Sequence, residues 1–208
     1  MKIQIPLPLK SEISYSPEGF IRNLEQEEVL NYYDGSLDVP MHGLYIYGLP
    51  KSGKTQLVHL FASQGMKIVS CVEDVFKMKD QGTVLIDNLL SEVDLFHMMN
   101  HILSLHGKVL LFTSFIPDEI ALPDLRSRLK LLKMIQIKNP SQEFMKILFF
   151  KQFGDHQITV HEDVIDFLLT RLQREYGVIY QTVETLSEAS TINKRAITIP
   201  FVKEILAL

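Results

Sequence analysis

Leu44-Tyr45-Ile46-Tyr47-Gly48-Leu49-Pro50-Lys51-Ser52-Gly53-Lys54-Thr55 decides the fold of this chain. Four apolar residues read as a buried strand, and the segment after Gly53 has helical periodicity to about Gln64. Between them Gly48 to Thr55 fits the pattern GxxxxGK[ST] in full. Its glycines allow a tight loop whose backbone N–H groups, Ser52 and Gly53 among them, face a phosphate. Lys54 reaches the β and γ phosphates, Thr55 offers its hydroxyl to Mg²⁺, and the helix start adds a positive dipole end. A glycine turn without a ligand is the bland alternative. A strand before the loop and a helix after it favour ATP or ADP with Mg²⁺.

Outward from the loop, short strands are expected at 67–70 and 84–86 with a helical turn between them, then at 109–112 and 134–137. A helix over 92–105 carries Val93, Phe96, Met99 (or Asn100) and Leu103 on one stripe. Asn23 is expected to cap a helix over roughly 24–33. This alternation predicts an α/β unit, a parallel sheet with helices on both faces. After Asn139-Pro140 the pattern is purely helical, over about 141–153, 162–173, 178–192 and 200–207. Gly154 is expected to end the first of these, Gly177 to separate the second and third, and Pro200 to sit in the first turn of the last. The organisation expected is thus an extended peptide over 1–10, a nucleotide-binding α/β domain over 11–139, and a small all-helical domain over 140–208.

Asp87 leaves an apolar strand where a phosphate-loop protein needs an acid to hold its metal, so Thr55 and Asp87 form the expected Mg²⁺ pair. The next residue is Asn88, whose amide cannot accept a proton, so weak intrinsic hydrolysis is expected. His97 and His101 stand four apart on a helix, a spacing that can ligate zinc. Met98 replaces the acid of a zinc hydrolase and no third ligand is evident, so helix-face histidines are the better reading.

The 208 residues carry a net charge of −4, with 46% hydrophobic and 22% charged residues. Basic residues are scattered, which excludes strong autonomous nucleic-acid binding, so any action on DNA is expected to be indirect. No apolar run approaches the length of a membrane span, and Pro6 and Pro8 interrupt the only signal-like stretch. One cysteine, Cys71, reads as a small buried hydrophobe and fits a reducing cytoplasm.

Longer segments carry a family resemblance. Leu122-Pro123-Asp124-Leu125-Arg126-Ser127-Arg128-Leu129 resembles the arginine-finger segment of the DnaA family of AAA+ bacterial initiators. Gln173-Arg174-Glu175 and Thr198-Ile199-Pro200-Phe201-Val202-Lys203-Glu204-Ile205 resemble the lid of that family's Hda branch, and Lys151 to Ile158 is similar to HdaA-type chains. The resemblance spans nearly the whole chain and implies an AAA+ module followed by a lid. DnaA would continue beyond Leu208 into a DNA-binding domain.

By position it implies that Arg128 is a finger acting in trans, with Arg126 as rival, and that Arg174 touches nucleotide in cis. Asn23 falls near the adenine-side segment, on a weak match. It also implies that Gln4, Leu7 and Leu9 bind the polymerase sliding clamp. Proline preorganisation suits such an extended peptide, although docking on its own domain is the ordinary alternative. Two departures from the family, a short stretch between Thr55 and Asp87 and Phe115 after the possible γ-phosphate sensors Thr113 and Ser114, favour stable ADP binding.

The function so implied is a nucleotide-bound, clamp-tethered regulator that stimulates hydrolysis of DnaA-bound ATP, with homo-oligomers possible. The alternatives are a self-contained ATPase such as a helicase loader, and an adaptor for which nucleotide is only structural.

Overall fold

Five strands form one parallel sheet in the computed structural model of the chain, which describes residues 20–79, 81–87 and 91–208. They are β1 (Gly43–Gly48), β2 (Lys67–Val69), β3 (Thr83–Asp87), β4 (Lys108–Thr113) and β5 (Lys133–Ile137), in the order β2-β3-β4-β1-β5. Parallel strands need crossovers, and helices supply them. These helices are α2 (Lys54–Ala62), α3 (Val72–Phe76), α4 (Glu92–Ser104) and α5 (Pro123–Leu129), preceded by α1 (Glu27–Tyr33).

Period-two alternation splits the sheet's side chains between two cores. Leu44, Ile46, Leu85, Leu110 and Phe112 pack with α1 and α2, through Val29, Leu57 and Phe61. Tyr45, Val84, Ile86, Val109 and Leu111 pack against α4 and α5. The doubly covered parallel sheet inferred from the alternation of strands and helices is the architecture found.

The chain then becomes helical: α6 (Gln142–Asp155), α7 (Glu162–Leu169), α8 (Tyr176–Asn193) and α9 (Ile199–Leu206). They enclose a third core around Phe149, Phe153, Ile165, Leu168, Ile179, Leu186, Phe201 and Val202. Ser141 and Thr198 cap α6 and α9 by accepting from Phe144 N and Phe201 N, and Pro200 lies in the first turn of α9.

Several local expectations are corrected. The helix expected from residue 24 opens as a 3-10 turn, Leu24–Gln26, and the Asn23 side chain makes no capping bond. In α4 the core face is Leu95, Met98, Met99 and Ile102, while Val93 is 54% exposed. That helix is apolar on more than one side, so spacing alone does not choose its face. Its start is capped by Ser91, whose side chain accepts from Asp94 N at 3.0 Å, and the Glu92 carboxylate of its first turn accepts from Ala121 N at 2.9 Å and Leu122 N at 2.7 Å.

Gly154 does not end α6. The left-handed residue is Gln157 (φ 59°), where Gln157 N donates to Gly154 O and Ile158 N to Phe153 O, the paired bonds of a helix-ending Schellman turn. Gly177 lies inside the first turn of α8, and α7 stops at Leu169, four residues before the expected end. Cys71 is only partly buried, at the start of α3, with its thiol pushed up chiefly by a hydrogen bond with Asp74.

Candidate functional site

The parallel register brings the ends of the central strands to one edge: Gly48 pairs with Ile137, Tyr47 with Thr113, and Asp87 with Phe112. Ligands of open α/β sheets bind outside this carboxyl edge, and the loop leaving β1 lies there. Lys51 (φ 67°) and Gly53 (φ 86°) are left-handed and flank Ser52, so the backbone curls, with Ser52 N donating to Leu49 O at 3.3 Å. At Gly48 a Cβ would stand 3.0 Å from Ile137 Cβ and O, so a side chain there would press β5 away by a few tenths of an ångström.

Lys54 is 6% exposed and lies inside the loop. Its ammonium donates to Gly48 O and Leu49 O, both at 2.7 Å, and to Ser52 Oγ at 3.3 Å. Burial pushes its pKa down to about 8, with partial compensation from the charge of Asp87. Asp87 Oδ1 is buried without a hydrogen-bond partner. Such an orphaned carboxylate oxygen, near Lys54 and at the end of the strand two places from β1, fits a divalent cation held jointly with the Thr55 hydroxyl.

Beside the loop is a shallow open cleft. Its far wall is Phe144, Leu148 and Lys151 of α6 with Tyr176 and Tyr180 of α8; Ile21, Asn23 and Gln26 form the near wall, and Ser52 and Gly53 the floor. Residue 25 joins the two walls, because Glu25 Oε1 accepts from Ser141 N at 2.6 Å. Lys51 Nζ stands 5.7 Å from the centre of the Tyr180 ring. Burial raises the Tyr176 phenol well above its ordinary pKa, with Glu25 adding to the shift. Gln26, Tyr176 and Tyr180 had no signature in the sequence: no motif marks them, and only folding brings residue 26 to residue 52.

Of the site residues inferred from sequence, Gly48, Ser52, Gly53, Lys54, Thr55 and Asp87 meet at one edge. Arg174 is exposed on the turn before α8 and does not line the cleft. Arg128 is exposed in the last turn of α5, and Arg126 beside it is half-buried with its Nε unpaired. Thr113 is fully buried and its hydroxyl accepts from Phe115 N at 3.1 Å, while Ser114 is exposed. Gln4, Leu7, Leu9 and Asn88 lie outside the described residues. No helix among the described residues is long and apolar enough to cross a membrane.

Residues 148–206 match the family described as Hda, lid domain. An uncharacterized protein of Haemophilus influenzae is 28% identical over 235 residues, covering 100% of both chains. Among solved structures, the chain resembles domain III from the Thermotoga maritima replication initiation protein DnaA, with a TM-score of 0.69 and 17% identity over 94% of this chain and 97% of that one. AMPPCP-bound DnaA from Aquifex aeolicus gives 0.63 and 18% over 88% and 67%. The Thermotoga maritima RuvB Holliday junction branch migration motor gives 0.63 and 15% over 88% and 68%. At these identities the structural likeness is one of fold.

Proposed function

We propose that the chain is an Hda/DnaA-related, nucleotide-holding regulator of replication initiation that acts on a DnaA-type partner; the match of residues 148–206 to the Hda lid family and the fold shared with DnaA support this reading. In this reading residues 11–139 carry the nucleotide and residues 140–208 close over it as a lid. The observation that carries the nucleotide site is the buried ammonium of Lys54 at the centre of a loop curled by Lys51 and Gly53. Lys54 would exchange carbonyl partners for phosphate oxygens, the loop N–H groups would hold the remaining oxygens, and Thr55 with Asp87 would position Mg²⁺. The metal would supply charge neutralisation between the phosphates.

The action on a partner falls to Arg128. It projects from a short helix whose Leu125 and Leu129 are fully buried, so a firmly seated element presents a solvent-facing guanidinium. Such a group offers planar, permanently charged donors to the charge that grows on a neighbour's phosphate during hydrolysis. Residues 1–10, with Gln4, Leu7 and Leu9, are proposed to tether the protein to the sliding clamp, and ADP is the proposed resident nucleotide. The test is single-turnover hydrolysis of DnaA-bound ATP with and without this protein and DNA-loaded clamp. Stimulation that requires both supports the reading, and a rate indifferent to this protein overturns it.

A further inference from the structure

Gln26 is 3% exposed, and only one end of its amide has a partner. Gln26 Nε2 donates to Ser52 O at 2.8 Å. A carbonyl can only accept, so the NH₂ end must face the loop and Oε1 is fixed as an acceptor on the other side. The amide approaches this closely because residue 53 is glycine: a Cβ there would lie 2.8 Å from Nε2.

Gln26 Oε1 is buried without a partner, and so is Asn23 Oδ1. Both residues line the cleft that opens beside Ser52 and Gly53, and Ile21, Phe144 and Leu148 give it apolar walls. Apolar walls suit a ring, and the fixed acceptor Gln26 Oε1, with the Tyr176 hydroxyl also unpaired in the same lining, calls for a ligand edge that donates to it. Of the lysines in the lining, Lys51 stands over the ring of Tyr180, which lines the same cleft, and Lys151 pairs with Asp155 at 3.8 Å.

We propose that Gln26 reads the base of the bound nucleotide and selects a base bearing an exocyclic amine, adenine or cytosine, over its oxo counterpart; this rests on the reading of residues 48–55 as a nucleotide site. An amine donates to Oε1 and satisfies a buried acceptor that is otherwise unpaired. An oxo group sets acceptor against acceptor, and a site built to hydrogen-bond a ligand group rejects analogues that lack it. A donor at Oε1 also polarises the amide and strengthens its bond to Ser52 O, so base and phosphate loop are coupled through one side chain.

Calorimetric titration of the full chain with ADP, IDP, CDP and UDP tests this. The expected result is ADP over IDP, CDP over UDP, or both, by on the order of 10- to 100-fold. Preference in one series alone assigns the base to that series. In Gln26→Met each ratio should fall to within about threefold, since the amide is lost while bulk is kept. Failure of the wild type to bind any of the four, or pyrophosphate, refutes the nucleotide site itself. Equal binding of amino and oxo partners by the wild type overturns the role of Gln26 and leaves the site standing, as does an amino preference that survives in Gln26→Met. Should that variant not fold, purine riboside 5′-diphosphate, with hydrogen in place of the amine, decides on the wild type. Binding weaker than ADP and stronger than IDP supports the proposal, and binding equal to ADP overturns it.

Discussion

The phosphate loop and helix α5 hold their cations in opposite ways. In the loop, the Lys54 ammonium is buried and bonded to three oxygens of its own chain. On α5, Arg128 has no hydrogen-bond or ion-pair partner among the described residues and faces solvent. The helix beneath it is nonetheless held firmly, by Leu125 and Leu129 in the core and by Glu92, which accepts from Ala121 N and Leu122 N at the helix start. On the proposed reading, the cation that acts within the chain is satisfied by the chain, whereas Arg128, proposed to act on a neighbour, is left unpaired on a firmly seated helix.

The contrast is broken most sharply at Arg128. Arg128→Ala should keep nucleotide binding and association with DnaA, while the stimulated hydrolysis rate falls by about 10³–10⁵, the usual worth of a finger supplied in trans. Arg126→Ala should instead lower thermal stability slightly, because its stem is half-buried, and leave most of the stimulation. Stimulation that survives Arg128→Ala and is lost in Arg126→Ala would transfer the role to the more buried residue.

Lys54→Ala should weaken ADP on the order of 100-fold by calorimetry, the value of a charge-assisted contact with phosphate. Arg128→Ala should leave that affinity unchanged. Equal effects of the two substitutions on binding would erase the distinction between cis and trans cations.

Acidity sharpens it further. Lys54 has a folded pKa lowered to about 8 from 10.5, so between those values the unfolded chain binds the extra proton. Its contribution therefore raises the stability of the ligand-free protein as pH rises through that window. Nucleotide affinity should move the other way, because phosphate needs the ammonium, falling by up to about tenfold per pH unit above 8. Calorimetry at pH 7, 8 and 9, with Lys54→Ala as the reference, checks both signs. A flat affinity profile in the wild type would place the proton elsewhere.

The smallest effect concerns the seam between sheet and lid. Glu25→Ala removes the acceptor of Ser141 N and should cost about 1 kcal/mol in urea unfolding, with little change in hydrolysis.

The sequence showed the sheet and the loop because both are written locally. Strands buried on both faces read as apolar runs, and GxxxxGK[ST] states its own backbone geometry. What escaped depends on contacts between distant residues. Glu92 of α4 meets residues 121 and 122 across the fold, and Asn23 lies in the cleft wall without a capping bond. Gln26 reaches Ser52 across twenty-six positions with no motif to mark it. Arg174 matched a lid motif and stands exposed on the turn before α8, two positions from Tyr176 of the cleft lining.

The bonding of Lys54 also bears on the small anions that surround any protein. An ammonium has three protons, and here Gly48 O, Leu49 O and Ser52 Oγ take one each. A chloride or a lone phosphate must break one of those bonds to gain a single contact, a poor exchange. A diphosphate offers several oxygens to the loop's N–H groups at the same moment and makes the exchange favourable. On the proposed reading of the loop, a preference for chained phosphates over single anions would arise from a cation already bonded to its own chain.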